Sequence, residues 1–167
     1  MELTEEEMSR LNAAARRMSA KMRAVRIVSA SSVSKRDLQQ RLVQKGEDPQ
    51  AASEAVAWME EMDLVDDRKT AEMVVQRCIA KGYGPARAKQ ALYEKQIPKS
   101  LWEEALADYP DMLEEVVSFL RGKVDDVHDA KAVKRGIDAC MRRGHSYGVI
   151  RQALQILSAD TEDWMGE

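Results

Sequence analysis

The chain has little that could form a metal centre or a disulfide framework. Of its 167 residues, two are cysteines and two are histidines. Cys78 and Cys140 lie 62 positions apart, a spacing that fits no zinc motif, and only His128 and His145 could assist them. We therefore expect both cysteines to be small buried apolar residues, and we expect no metal or other cofactor.

Long apolar runs are also missing. No stretch approaches the roughly 20 apolar residues that a helix needs to cross a bilayer. The first seven residues include four glutamates and lack the basic and apolar regions of a signal peptide. These absences predict a soluble cytoplasmic protein without a membrane partner.

Residues typical of β-strands are scarce. The chain has one phenylalanine, and Ala, Met, Glu, Lys, Arg and Gln dominate its composition. Four prolines and eight glycines are enough to end helices but too few for a disordered linker protein. The composition therefore predicts an all-α protein.

No catalytic or nucleotide-binding signature is found. Gly82-Tyr83-Gly84 lacks the preceding strand of a phosphate-binding loop and is interpreted as a helix junction. Neither histidine has a Ser or Cys nucleophile near it in a recognisable pattern. The acidic pairs at 66–67 and 125–126 fit helix N-termini, where carboxylates stabilise the helix dipole. We expect a protein that is not an enzyme.

What the chain does contain is one charge pattern written three times. Residues 10–45 hold ten bases and one acid, and residues 46–67 hold eight acids and no base. Residues 68–100 then hold eight bases and two acids, and residues 101–118 hold six acids and no base. Residues 121–157 return to eight bases and four acids. Three basic blocks hidden in a net charge of −3 predict a repeat protein with a surface for a polyanionic or acidic partner.

Apolar residues align in the same three blocks. Each block has an apolar i, i+3 pair, a break, and an apolar i, i+4 pair, which predicts two amphipathic helices with buried stripes. The aligned sets are Val25, Val75 and Ile137; Val28, Cys78 and Cys140; Leu38, Ala88 and Ile150; and Leu42, Leu92 and Leu154. The breaks align as well, with C-terminal positions at Ser32, Gly82 and Gly144 and N-cap positions at Ser34, Gly84 and Ser146.

A third helix is predicted in the first two units, opening at Asp48-Pro49 and at Ser100. A further helix from Asp111 leads to the third unit, which ends near Leu157. No helix is assigned to the acidic tail beyond it, although Trp164 is a candidate to dock a short last turn.

The predicted fold is all-α, an elongated array of three tandem three-helix repeats whose curvature is left open. Its parts are repeat 1 at 10–65, repeat 2 at 66–110, a linking helix with repeat 3 at 111–157, and an acidic C-terminal tail at 158–167.

Bases on the first two helices of each unit form the candidate binding surface. For any single base a solvated face is the simpler interpretation, but the bases gather on helices one and two while the acids gather on helix three. Stacked units would then carry a basic stripe that follows phosphates or an acidic protein groove and weakens as salt rises. The candidate partner-binding residues are Arg36, Arg41, Lys81, Arg87, Lys89, Arg142, Arg143 and Arg151.

One segment carries a family resemblance. Residues 66–71, Lys81-Gly82-Tyr83-Gly84-Pro85-Ala86-Arg87 and residues 92–97 together resemble the RecX family of recombination regulators. Residues 23–46, 62–67 and 142–150 resemble that family's first repeat, repeat boundary and third repeat, so the resemblance covers about residues 15–157.

The resemblance implies a function. RecX proteins are bacterial proteins of tandem three-helix repeats that bind and restrain the RecA recombinase filament. By resemblance, the chain lies in the groove of a RecA–single-stranded DNA filament and inhibits strand exchange and coupled ATP hydrolysis. Single- or double-stranded DNA would be a weaker second partner. Two alternatives stay open, a module that recognises DNA directly through a helix-turn-helix and a helical scaffold for an unrelated protein.

Overall fold

The computed structural model describes the backbone of residues 2–165 and the side chains of residues 2–161. Every regular element within this part is helical, as the composition predicts. Residues 2–165 form nine α-helices: α1 (Glu5–Ala30), α2 (Lys35–Gln44), α3 (Pro49–Glu61), α4 (Asp67–Ala80), α5 (Pro85–Glu94), α6 (Trp102–Leu106), α7 (Leu113–Lys123), α8 (Ala130–Arg142) and α9 (Tyr147–Met165). One turn of 3-10 helix, Lys99–Leu101, precedes α6. None of these described helices is both long and apolar enough to span a bilayer.

The chain divides into two compact units. Unit 1 contains the chain through Ala71 together with Lys95–Leu101. Unit 2 contains Glu72–Glu94 and the chain from Trp102 onward. The division falls within α4, so the predicted repeat boundaries and these compact units are different partitions of the same helices.

Unit 1 is a bundle in which α3 packs against both α1 and α2. The helices α2 and α3 begin where the sequence predicts: the side chains of Ser34 and Asp48 each accept a hydrogen bond from a backbone N–H of the first turn. The helix α1 begins before the predicted start of repeat 1 at residue 10, and Thr4 is its cap. Pro49 is the first residue of α3, where the missing N–H leaves no helical hydrogen bond unmade. Leu38 and Leu42 of α2 are fully buried, as their spacing predicts.

The buried stripe of α1 differs from the predicted one. Val25 is 40% exposed, and Ala20 and Ala24 are the buried residues of this helix. Alanines on the facing helix, Ala52 and Ala55, are also fully buried. Small side chains on both sides allow the α1 and α3 backbones to approach closely, and this packing turns Val25 away from the core.

In unit 2, α7 packs against α8 and α9. Val116 and Leu120 of α7 join Cys140, Ile150 and Ala153 in one fully buried cluster. The sequence predicts that the helix from Asp111 links the second unit to a third unit of two helices. In the structure this helix supplies the third helix of that unit, and it precedes the pair that it covers instead of following it.

The end of the chain also differs from its prediction. The helix α9 runs past Leu157 to Met165, through residues that the sequence assigns to an acidic tail. Arg121 of α7 binds the Asp160 carboxylate at 2.7 Å, which ties the continued helix to its neighbour. Leu154 is only partly buried, because Ala153 takes the innermost position beside it. The suggested docking of Trp164 lies outside the described side chains.

Candidate functional site at the paired helix junctions

Two helix junctions lie face to face within unit 2. The first joins α4 to α5 at residues 81–84, and the second joins α8 to α9 at residues 143–146. The backbone N–H of Gly84 donates to the carbonyl oxygen of Arg143 at 2.8 Å, and that of Ala86 donates to Gly144 at 3.2 Å. These bonds satisfy carbonyl groups that a helix C-terminus would otherwise leave unpaired. We call residues 81–87 together with 142–146 the paired junction.

Local backbone geometry makes each junction in the same way. Gly82 and Gly144 have φ values of +76° and +90°, so each ends its helix in the left-handed region that the sequence assigns to it. The N–H groups of Tyr83 and His145 each reach back to the carbonyl of Cys78 and Cys140 respectively. Both cysteines are buried as predicted, and burial raises the pKa of each thiol.

Glycine is required where the two junctions touch. A Cβ atom on Gly84 would lie 2.2 Å from the carbonyl oxygen of Gly144, and a Cβ atom on Gly144 would lie 2.3 Å from the backbone nitrogen of Arg87. Real Cβ atoms do not approach backbone atoms so closely. The hydrogen bonds between the junctions therefore depend on both residues lacking a side chain.

The side chain of Arg143 connects the two junctions. Its Nη2 atom donates to the carbonyl oxygen of Lys81 at 2.7 Å. Its guanidinium carbon lies 4.9 Å from the centre of the Tyr83 ring and 4.6 Å from that of Phe119 on α7. Both distances are within the range of cation–π attraction. Much of this side chain is engaged inside the unit, and its buried Nε has no hydrogen-bond partner among the described residues.

The buried side chain of His145 also connects the two junctions. Its Nε2 atom lies 3.0 Å from the carbonyl oxygen of Gly82, so the ring donates a proton there. The side chain is buried, and this burial, together with the nearby charge of Arg143, lowers the pKa of His145 despite the opposing effect of the Gly82 carbonyl. The neutral imidazole is therefore the form that the folded unit favours.

Tyr109 supports the first junction from the segment that follows α6. Its hydroxyl donates to the carbonyl oxygen of Tyr83. Burial raises the pKa of Tyr109 to about 12, so the hydroxyl keeps the proton that it donates. Neither Tyr109 nor Phe119 stands out in the sequence as a junction residue.

The structure brings three of the predicted binding residues together. Lys81 is the first residue of the first junction, Arg87 lies in the first turn of α5 with its guanidinium 5.1 Å from the Tyr83 ring, and Arg143 donates to the Lys81 carbonyl. Basic blocks two and three therefore meet at the paired junction. Lys81 and Arg87 are exposed, and neither forms an ion pair within the described part of the chain.

The remaining predicted residues are more scattered. Lys89, Arg142 and Arg151 are exposed on α5, α8 and α9. Arg142 also borders a shallow cleft that Lys123 and Arg135 line. In unit 1, Arg36 is exposed on α2, whereas Arg41 is engaged by the Asp37 carboxylate one turn earlier, at 3.1 and 3.2 Å.

Sequence reasoning missed one ionic site in unit 1. Glu47, just after α2, is buried and accepts hydrogen bonds from Ser19 at 2.9 Å and from the Arg23 Nε at 2.8 Å. The bond from Arg23 is the main cause that lowers the pKa of Glu47. Because the three residues come from distant parts of the chain, no local pattern marks them. Through these two hydrogen bonds, Glu47 connects α1 to the end of α2.

The whole chain can be compared with known proteins. A family model described as RecX, second three-helix domain, matches residues 66–106 and so includes the first junction. Regulatory protein RecX from Vibrio vulnificus is 30% identical over 140 residues, which cover 82% of this chain and 92% of that protein. Regulatory protein RecX from Vibrio parahaemolyticus is 26% identical over 146 residues, which cover 86% and 94%.

Solved structures agree on the fold. The crystal structure of RecX from Lactobacillus salivarius matches with a TM-score of 0.78 over 87% of this chain and 99% of that chain, at 21% identity. A second crystal structure of regulatory protein RecX gives 0.77 over 91% and 79%, at 18% identity. The all-helical architecture of tandem three-helix repeats is thus the one that the sequence predicts. With a relative that is 30% identical along nearly its whole length, the chain belongs to the RecX family of regulatory proteins.

Proposed function

We propose that this chain binds the RecA–single-stranded DNA filament and inhibits its recombinase and ATPase activities, without carrying out chemistry of its own. The observation that carries the proposal is the paired junction, where cations from two successive basic blocks meet. Lys81 and Arg87 come from one junction and Arg143 from the other. Membership of a family of regulatory proteins supports a binding role over a catalytic one.

The three cations have different parts in this proposal. Lys81 and Arg87 are exposed and free of ion pairs among the described residues, so their charge is available to an acidic protein groove or to phosphate. Arg143 makes its hydrogen bond to the Lys81 carbonyl and its contacts with the Tyr83 and Phe119 rings inside the unit. We therefore assign attraction of the partner to Lys81 and Arg87, and the shape of the surface that presents them to Arg143.

Because Arg143 has a structural role, the experiment that tests the binding surface should change only Lys81 and Arg87. Reversing Lys81, Arg87 and Arg143 together is predicted from the sequence to abolish inhibition with the helices intact. Because Arg143 holds the junctions together, a clean test leaves it in place. Lys81→Glu with Arg87→Glu should raise the concentration needed to inhibit recombinase ATPase at least about tenfold, which matches the loss of one or two charge-assisted contacts.

The matched control is Lys131→Glu with Lys134→Glu. These lysines are exposed on α8 of the same unit, and the change in net charge is identical. The control should inhibit like the wild type, and the wild-type effect should weaken as salt rises. Equal inhibition by both double variants, with circular dichroism unchanged, would remove the paired junction from the binding surface.

The two alternatives are decided by two separate measurements, one on DNA without recombinase and one on the recombinase filament. Tight, sequence-dependent binding to duplex DNA in the absence of recombinase would favour direct DNA recognition; weak, salt-sensitive binding would not. Failure of the wild-type protein to inhibit recombinase ATPase or to associate with its filament would leave the scaffold hypothesis.

A further inference from the structure

The helix α1 carries an apolar face that its own unit leaves largely exposed. Among the described residues, only Ala20 and Ala24 of this 26-residue helix are buried, and both lie in its C-terminal half. From Glu5 to Ser19 every side chain is exposed except the half-buried Ala13. The N-terminal half thus extends beyond the packing that α3 and α2 supply.

The exposed face has a regular spacing. Apolar residues recur at alternating intervals of three and four, at Met8, Leu11, Ala15, Met18, Met22 and Val25. At 3.6 residues per turn, these positions fall on the side of α1 opposite Ala20 and Ala24. Leu11, Met18 and Met22 are 53%, 59% and 57% exposed. We call the six residues the α1 seam; their spacing is that of the a and d positions of a coiled coil.

We propose that the α1 seam is a self-association surface, which pairs with the α1 seam of a second copy of this chain in the antiparallel direction. A coiled-coil partner must offer apolar knobs at the same 3.5-residue period, and a second α1 does so by construction. The three methionines suit such a contact because their unbranched side chains adapt to imperfect holes. The charges flanking the seam determine the direction.

The ends of α1 carry opposite charge. Its first turn contains Glu5, Glu6 and Glu7, while Arg23 and Arg26 lie towards its other end. An antiparallel pair centred between Ala15 and Met18 sets Met8 against Val25 of the second copy. In that register Glu5 lies beside Arg26 of the second copy, on both sides of the two-fold axis.

The parallel direction brings like charges together. It would place Lys21 of one copy beside Arg26 of the other, in the flanking g and e positions, and it would set the three first-turn glutamates side by side. Like charges across a helix pair are destabilising, whereas the antiparallel direction converts the same residues into attraction. Charge complementarity therefore favours one direction and one partner.

The length of the seam sets the strength of the association. From Met8 to Val25 it extends about 26 Å along the axis, or about two and a half heptads. Pairing over this distance should give a weak dimer, with a dissociation constant on the order of 10 μM. The dimer should then form at micromolar concentrations and dissociate on dilution.

The first test is sedimentation equilibrium of the full chain across that concentration range, with Met18→Glu as the disrupting variant. Met18 lies near the centre of the seam and is 59% exposed, so the folding and thermal midpoint of the Met18→Glu variant should match those of the wild type. The wild type should shift from monomer to dimer, and Met18→Glu should weaken dimerisation at least about tenfold. The charge-matched control, Ser9→Glu, lies off the seam and should dimerise like the wild type.

The second test addresses direction. Arg26→Glu should weaken the dimer because it sets a second carboxylate against Glu5 of the other copy, and adding Glu5→Arg should restore it. A wild type that remains monomeric up to about 200 μM, or an unchanged dimer in Met18→Glu, would overturn the self-association and leave the seam to a helix of another protein. A dimer that Arg26→Glu strengthens would overturn the antiparallel direction.

Discussion

The Cβ position of Gly84 lies 2.2 Å from the carbonyl oxygen of Gly144, so two glycines from successive repeats occupy one space that has no room for a methyl group. The contact is between backbones, which cannot give way as the end of a flexible side chain can. The paired junction therefore places a steric requirement on unit 2 that follows directly from its geometry.

Gly84→Ala should destabilise unit 2 by about 3 kcal/mol, because the added methyl group forces the two junctions apart and breaks the hydrogen bonds between them. Chemical denaturation monitored by circular dichroism would measure the loss. Gly148→Ala is the control, since its Cβ would meet only the Ser146 hydroxyl, at 4.0 Å, near the start of α9. That control should be neutral or stabilising by up to about 1 kcal/mol; equal losses in the two variants would contradict the close contact.

Arg143→Lys should destabilise unit 2 by about 1–2 kcal/mol although it preserves the charge. An ammonium group lacks the planar guanidinium that contacts the Tyr83 and Phe119 rings while it donates to the Lys81 carbonyl. Arg142→Lys, at the exposed neighbouring position, should stay within about 0.5 kcal/mol of the wild type. Thermal unfolding of both variants provides the comparison, and a neutral Arg143→Lys would show that the stacked guanidinium contributes little.

The buried imidazole of His145 should make the stability of unit 2 depend on pH. Burial and Arg143 lower the pKa of His145 in the folded protein below its ordinary value of 6.5, so the unfolded chain takes up the proton first. The contribution of neutral His145 to the free energy of unfolding should therefore be fully present above pH 6.5 and should decrease as the pH falls below 6.5. Urea midpoints between about pH 7.5 and pH 5.5 would record this slope.

His145→Gln should flatten that slope, because the amide can still donate to the Gly82 carbonyl but does not titrate. His128→Gln removes the other, exposed histidine and should leave the slope as it is in the wild type. Should His128→Gln alone flatten it, the pH dependence would have its source outside the paired junction.

Glu47→Gln should destabilise unit 1 by about 1–3 kcal/mol at neutral pH, since it weakens the charge-assisted bond between the buried Glu47 carboxylate and Arg23. The hydrogen bond from Arg23 lowers the pKa of Glu47 below its ordinary value of 4.5. The stabilisation is therefore present above that value and is lost as the pH falls through the folded-state pKa.

The difference between Glu47→Gln and the wild type should accordingly narrow below about pH 4.5 in denaturation curves. Glu61→Gln, at an exposed position at the end of α3, should follow the wild type at every pH. If the difference in unfolding free energy between Glu47→Gln and the wild type stayed the same at acid pH, the charge of Glu47 would not be the source of the stabilisation.

Local features of the fold are visible in the sequence because short-range physics determines them. The positive φ of Gly82 and Gly144, the caps at Ser34 and Asp48, and the burial of Leu38 follow from neighbouring residues alone. Contacts between repeats, in contrast, cannot be derived from neighbouring residues. Alignment makes Lys81 and Arg143 equivalent, but equivalence gives no indication that the side chain of one binds the backbone of the other.

Two differences between prediction and structure have a common origin in helix packing. Val25 follows the aligned apolar pattern, yet the alanines of α1 and α3 set which face of α1 is buried. The helix from Asp111 is expected to lead to the third unit, yet α7 buries Val116 and Leu120 and covers α8 and α9. The identity of a covering helix depends on three-dimensional packing as well as on chain order.

The position of α7 also bears on the order in which unit 2 folds. Its core with α8 and α9 uses residues that are close in sequence, so only short loops must close to form it. The junction contacts of Arg143 and His145 instead join residues 62 and 63 positions apart. We expect the bundle of α7, α8 and α9 to form first and the two junctions to dock later. Loosening the junctions should then speed unfolding more than it slows folding.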